Sequence, residues 1–195
     1  MAVGEAASAV AMLAVRDGAR HAGSTYDRDL FGFRTTDDDG DGCDVRDEVL
    51  ARDLDDVVHR NRYSCVVQSG TLHDPYTGSD VDFVRGPGTS GAVQIDHVVA
   101  LSDAWRSGAE GWDTATRVRF ANDPANLLAV DGSANQEKGD AAADAWLPSN
   151  KSYVCQYVAR QIGVKAAYGL SVTAAERDAM LKALAECPGQ RLPSS

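Results

Sequence analysis

Two segments, QIDHVVALSDAW at residues 94–105 and NDPANLLAVDGSANQEKGD at residues 122–140, combine apolar runs with a small set of polar side chains. The first contains a β-branched run, 95–101, interrupted by Asp96 and His97, which predicts a short strand carrying two polar groups into a buried setting. The second predicts another strand at 126–130, a turn, and a helix beginning at Ser133. The predicted order is strand, connection, strand, helix.

Neighbouring side chains on a regular strand point to opposite faces, so Asp96 and His97 would be separated. Bringing both to one site requires a bulge or a strong twist, and bulges are common beside active sites. We therefore expect an irregularity in this strand.

These motifs resemble those of the HNH, or ββα-metal, nucleases, and more closely a secreted HNH endonuclease family related to the C-terminal domain of GmrSD-type restriction enzymes. The similarity covers most of the chain after about residue 25. Its segments are Asp96 to Leu101, Phe120 to Leu127, Asn135 to Asp140, Tyr26-Asp27-Arg28, Asp39 to Cys43, and Asp74 to Gly78.

Hydrolysis of a phosphodiester needs a deprotonated water and a cation that neutralises charge on the phosphate oxygens. His97 is the candidate general base, because an imidazole titrates near neutral pH. The resemblance implies that Asp96 and Asn135 hold the cation, and hard oxygen ligands suit Mg²⁺ or Mn²⁺. Asn126 is placed to orient His97, and Lys138, one helical turn from Asn135, to contact the phosphate.

Many HNH members have a histidine at the position of Asn135. The four histidines here are His21, His59, His73 and His97, and none but His97 falls within the motif. The metal is therefore expected to be bound by oxygen, and a zinc site is not expected.

A second metal site is suggested by the run DDDGDGCDVRDE at residues 37–48, which fits a calcium loop closed by a glutamate. Threonines precede it where an EF-hand would have a helix, so an acidic turn that caps the next helix is an equal alternative. The candidate ligands for a structural Ca²⁺ are Asp37, Asp39, Asp41, the carbonyl of Cys43, and Glu48.

The 195 residues, 44% of them hydrophobic, can bury one core. We predict one α+β domain over residues 1–195, mainly helical around a ββα motif at about 94–140, with small antiparallel hairpins. Further helices are predicted at 4–19, 45–59, 150–168 and 173–186. No apolar run is long enough for a membrane span, and the N-terminal run is interpreted as a helix of a mature chain rather than a signal peptide.

Four widely spaced cysteines without a Cys-x-x-Cys motif favour two disulfides in an oxidising compartment, hence a secreted protein. Three pairings are possible. Cys43 with Cys65 and Cys155 with Cys187 is preferred, because each bond joins neighbouring segments. Four reduced cysteines in a cytosolic protein are the alternative.

The formal charge of −10 is unfavourable for a protein that binds nucleic acid, so a local basic groove would be needed. Arg106, Arg117 and Arg119 lie near the motif in sequence and are candidates for phosphate binding; ordinary surface charges are the alternative. We interpret the chain as a monomeric, low-specificity, metal-dependent endonuclease that hydrolyses DNA, with RNA as a second candidate substrate. The alternative is an inactive, calcium-stabilised extracellular binding module on the same scaffold.

Overall fold

The computed structural model describes residues 4–18, 25–33 and 42–193. This part of the chain holds seven α-helices: α1 Glu5–Met12, α2 Val45–Asp53, α3 Leu101–Ser107, α4 Thr114–Asn122, α5 Gly132–Lys138, α6 Val154–Ala167 and α7 Ala174–Ala185. It holds seven strands: β1 Val15–Arg16, β2 Asp55–His59, β3 Val67–His73, β4 Asp80–Val84, β5 Val93–His97, β6 Leu127–Asp131 and β7 Val172–Thr173. Two 3₁₀ turns are Arg28–Phe31 and Ala109–Gly111.

The strands form three small sheets rather than one large one. β2, β3 and β4 make an antiparallel three-stranded sheet, and β5 pairs antiparallel with β6. β1 pairs in parallel with β7, which joins the two ends of the chain. The predicted mixture of helices and small antiparallel hairpins is confirmed, and the short parallel pair was not predicted.

Buried side chains from both ends of the chain share one core. Ala6 and Val10 of α1 pack with Ile162 of α6 and with Met180 and Leu184 of α7. A second cluster joins α2 to the sheets, and a third lies under α3 and α4. β6 contributes to two of these clusters, with Leu128 and Val130 in the first and Leu127 and Ala129 in the second.

The two C-terminal helices are confirmed, and α7 opens with the capping box that its sequence indicates. The Thr173 hydroxyl accepts from the main-chain N–H of Glu176 at 3.0 Å, and the Glu176 carboxylate accepts from the N–H of Thr173 at 3.3 Å. Both bonds satisfy donors that a helix start otherwise leaves open. Local polar signals therefore define this helix start.

The helix predicted over 45–59 is wrong in its second half. α2 ends at Asp53, and residues 55–59 form β2, with Asp56 at a positive φ of 50°. The β-branched pair Val57-Val58 fits a strand edge better than a helix. The N-terminal helix is also shorter than predicted, since α1 ends at Met12.

Two disulfides link Cys43 to Cys65 and Cys155 to Cys187, the preferred pairing. The first connects the start of α2 to the β2–β3 hairpin, and the second connects α6 to the end of α7. No helix among the described residues has the length and apolar character needed to cross a bilayer.

Candidate active site

β5, β6 and α5 carry the predicted motif, and the junction of β6 and α5 is held by the Asp74 and Asp131 side chains and by the close approach of Gly132 to Gly91. The Asp131 side chain caps α5 by accepting from Ala134 N–H at 2.8 Å. Its own N–H donates to the buried Asp74 carboxylate at 2.9 Å. Gly132 fits because a Cβ there would lie 2.1 Å from the carbonyl oxygen of Gly91. The helix therefore begins one residue before the predicted Ser133.

A cavity of about 580 Å³ lies against the C-terminal end of β5. It is lined by Asp96, His97 and Asn135, three of the residues singled out from the sequence. The register of β5 on β6 runs without a shift from Val93 to His97, so the expected bulge is absent. Asp96 and His97 nevertheless line the same cavity, together with Ala100 and Leu101 just after the strand.

The orientation of His97 is fixed by a main-chain carbonyl. Its Nε2 lies 2.8 Å from the oxygen of Ala121, and the ring packs edge-on against Phe33 with centroids 4.5 Å apart. A carbonyl oxygen can only accept, so Nε2 donates in this contact and Nδ1 is the candidate basic nitrogen. Ala121 thus has the orienting contact with the ring that was predicted for Asn126.

Asn126 acts on the backbone beside His97 instead of on its ring. The Asn126 Oδ1 accepts from Val99 N–H at 2.8 Å, and its Nδ2 donates to Val99 O at 3.3 Å. Its carbonyl also accepts from Val98 N–H at 2.8 Å. The fully buried Asn126 therefore clamps the chain immediately after His97.

Asp96 is buried and bound from two sides. Lys138 Nζ lies 2.9 Å from Oδ1, and the Tyr76 hydroxyl donates to Oδ2 at 2.5 Å. Burial raises the pKa of the Asp96 carboxyl, and the nearby Lys138 ammonium and Tyr76 hydroxyl oppose that rise. Each carboxylate oxygen keeps a second lone pair, so this arrangement still permits a ligand from the cavity.

Lys138 does not occupy the place predicted for a phosphate contact. Its side chain has no exposed surface, and its ammonium also donates to the main-chain oxygen of His97 at 2.9 Å. A buried ammonium needs a charged partner, and Asp96 is that partner. The lysine therefore lies behind the cavity wall, where it holds β5 against α5.

Asp96 and Asn135 bring to the cavity wall the kinds of oxygen donor that a hydrated divalent cation takes. Asp96 supplies a carboxylate and Asn135 an amide, whose Nδ2 donates to Gln94 Oε1 at 2.9 Å and so fixes the amide orientation. Magnesium characteristically takes one or two protein oxygens and completes its shell with waters and phosphate. Within the described ranges, no group of three or more His, Cys, Asp or Glu side chains is arranged to hold a metal.

The three arginines predicted for phosphate binding have other partners. Arg106 forms an ion pair with Asp140 at 2.9 Å, Arg117 donates to the carbonyls of Ala109 and Trp112, and Arg119 lies over the Tyr168 ring. The positive charges on the cavity wall come instead from Arg28 and Arg46.

Sequence reasoning did not assign roles to Arg28, Arg46 and Tyr76. Two of them lie in segments that carried the family resemblance, Tyr26-Asp27-Arg28 and Asp74 to Gly78, and this was the available signal. Arg46 had no such sequence signal, because its position at the cavity depends on the packing of α2. Its guanidinium donates to the carbonyl oxygens of Ser90 and Val93 at 3.3 and 3.1 Å, which anchors it beside β5.

The predicted calcium loop falls largely outside the described residues, which exclude Asp37, Asp39 and Asp41. Of the other two candidates, Cys43 is in a disulfide and Glu48 lies on α2. The helix N-cap is Asp44, whose side chain accepts from Asp47 N–H at 2.7 Å. Calcium binding by this loop stays a prediction.

The fold is mixed α/β, and the cavity at the end of β5 is lined by an Asp-His pair of that strand and by an asparagine of α5. The chain belongs to the family described as GmrSD restriction endonucleases, C-terminal domain, whose model matches residues 44–183. A protein of Arthroderma benhamiae described as an uncharacterized secreted protein is 42% identical over 147 residues, which cover 74% of this chain and 68% of that protein. No solved structure matches the chain. The two disulfides and the secreted relative agree with the predicted extracellular location.

Proposed function

We propose that this protein is a secreted, divalent-metal-dependent endonuclease of the HNH kind that hydrolyses phosphodiester bonds in DNA with low sequence specificity. RNA is the second substrate class to test. The observation that carries the proposal is the contact of His97 Nε2 with the Ala121 carbonyl oxygen, at the wall of the cavity that Asp96 and Asn135 also line. Membership of the GmrSD C-terminal domain family supports the same reaction class.

In the proposed reaction His97 Nδ1 takes a proton from the attacking water. The imidazolium that forms is stabilised through Nε2–H by the Ala121 carbonyl, a dipole already in place before the reaction. Asn126 keeps the following backbone fixed, so the ring has little freedom to turn away. Burial of His97 at 4% exposure restricts it further.

Asp96 and Asn135 are the residues that would hold Mg²⁺ or Mn²⁺. When bound, such a cation supplies charge neutralisation at the phosphate oxygens and at the departing 3′ oxygen. Lys138 and Tyr76 keep the Asp96 carboxylate in one orientation. Arg28 and Arg46 add positive charge to the cavity, which an otherwise acidic protein needs in order to accept a phosphodiester.

The proposal is tested by digesting supercoiled plasmid, linear DNA and RNA in Mg²⁺, Mn²⁺, Ca²⁺ and chelator. We expect nicking of the plasmid in Mg²⁺ or Mn²⁺ and none in chelator. A folded protein that cuts no substrate in any cation, but melts at a higher temperature in Ca²⁺, would instead support the inactive binding module.

A further inference from the structure

The turn between β2 and β3 is unusually basic for this chain. We call Arg60, Asn61, Arg62 and Tyr63 the basic tip. All four are exposed, and Tyr63 keeps 82% of its surface in solvent. In a chain with a formal charge of −10, two arginines and an exposed aromatic ring within four residues form a local positive surface.

The basic tip has a defined backbone conformation. Arg60 N–H donates to Val66 O at 2.9 Å, Tyr63 N–H to Asn61 Oδ1 at 3.0 Å, and Ser64 N–H to Asn61 O at 3.1 Å. These bonds order the turn before any ligand arrives, which lowers the entropy cost of binding. The backbone of the basic tip is thus already ordered in the free protein.

Arg62 and Tyr63 contact each other within the exposed tip. The Arg62 guanidinium lies 4.5 Å from the centre of the Tyr63 ring. Within the segments that the structure describes, no carboxylate pairs with Arg60 or Arg62. Such an arginine–tyrosine pair offers both a phosphate donor and a ring on which a base can stack.

Two links connect the tip to the candidate active site. Cys65, two residues beyond Tyr63, is bonded to Cys43, three residues before the cavity-lining Arg46. The buried Asp47 carboxylate also accepts from Val67 N–H at 2.9 Å, which ties α2 to the start of β3. The helix that carries Arg46 and the hairpin that carries the tip are therefore held together at two points.

We propose that the basic tip binds a single-stranded segment of the nucleic-acid substrate outside the cavity. Arg60 and Arg62 contact phosphates, and Tyr63 stacks on an unpaired base. This inference rests on the proposed function for the identity of the ligand. It adds a second contact region, which favours substrates with unpaired stretches over fully paired duplexes.

The test measures binding of a fluorescent 20-nucleotide single strand, and of its duplex, by anisotropy in chelator, where no cleavage occurs. We compare the wild type with Arg60→Ala/Arg62→Ala and with Tyr63→Ala. The matched control is Arg177→Ala/Lys182→Ala, which removes the same charge from α7, a helix that does not line the cavity.

Removing both tip arginines should reduce the slope of log affinity against log salt by about 1.4, since each single-strand phosphate contact contributes about 0.7. Tyr63→Ala should weaken single-strand binding by about fivefold or more and leave duplex binding nearly unchanged. The control should keep the wild-type slope.

Tip variants that behave like the control, or a wild type that binds neither oligonucleotide, would overturn the inference. An equal loss for both oligonucleotides in Tyr63→Ala would overturn the assignment to single strands. Failure of the proposed function is distinguishable: the wild type would bind through the tip yet leave plasmid intact in every cation.

Discussion

The ammonium of Lys138 lies 2.9 Å from Asp96 Oδ1, with no exposed surface on the lysine side chain. This pair connects α5 to β5 directly behind the cavity. Because both charges are out of solvent, neither tolerates loss of the other. The same contact that stabilises the fold therefore fixes the proposed metal ligand.

Lys138→Met should lower the free energy of unfolding by about 3–5 kcal/mol, because it leaves the Asp96 carboxylate buried without its cation. Tyr76→Phe removes only a hydroxyl donor and should cost about 1–3 kcal/mol. Urea unfolding measures both. The control Lys182→Met, on the exposed face of α7, should stay within about 0.5 kcal/mol of the wild type. A Lys138→Met variant as stable as that control would contradict a structural role for the ion pair.

His97→Ala should reduce plasmid nicking by about 100-fold or more, since it removes the proposed base. His97 is buried, so His97→Gln, which is closer in volume, is measured beside it in case the alanine variant is poorly folded. Circular dichroism establishes the fold before the activity is compared. His73→Ala, at an exposed position outside the cavity lining, should cut as the wild type does. Undiminished nicking by folded His97→Gln and His97→Ala would remove His97 from the mechanism.

Asn135→Ala should raise the Mg²⁺ concentration required for half-maximal nicking by about tenfold or more, because it deletes one of two proposed protein ligands. The matched control is Gln136→Ala, the next residue on α5, which also lines the cavity. Its Mg²⁺ requirement should be unchanged. Equal shifts in the two variants would mean that the helix surface, and not the Asn135 amide, determines the metal requirement.

The elements predicted well from sequence are those with local signals. β5 and β6 lie in short apolar runs, and α7 begins at the capping box of Thr173 and Glu176. β2 was missed because the helical spacing of α2 continues through Val57 and Val58, although the chain turns into a strand after Leu54. β1 and β7 are two residues each and pair across the whole chain, so neither has a local pattern.

The candidate site shows the same difference between residues with a local sequence signal and contacts without one. Asp96 and His97 were identified because polar residues in an apolar run are visible locally, and Asn135 was identified through the family resemblance. All three line one cavity. The sequence could not identify the partners of these side chains. Ala121 acts through a carbonyl that every residue has, and Tyr76 reaches Asp96 across 20 positions of sequence. Such contacts depend on packing between elements.

A second buried lysine provides a prediction away from the candidate site. Lys165 of α6 has no exposed side-chain surface and lies 2.8 Å from Asp103 Oδ2 and 2.6 Å from Glu176 Oε1. Arg16 of β1 approaches the same two carboxylates at 3.4 and 3.7 Å. This cluster joins β1, α3, α6 and α7, so its charge balance should matter for global stability.

Burial raises the pKa of Glu176, and the Lys165 ammonium acts in the opposite direction. A carboxyl with a higher pKa in the folded than in the unfolded state binds its proton more tightly when folded. Stability contributed in this way is present at low pH and is lost as the pH rises through the folded pKa. Removing Lys165 should raise that pKa further.

Lys165→Met should therefore cost about 3–5 kcal/mol at pH 8 and clearly less at pH 4.5, where the carboxyls can take up protons. Urea unfolding at the two pH values measures the difference. The double variant Lys165→Met/Glu176→Gln should recover part of the loss at pH 8, because one of the two carboxylate charges that Lys165 balances is gone. A deficit independent of pH, with no recovery in the double variant, would show that Lys165 stabilises the fold through packing of its methylenes and not through its charge.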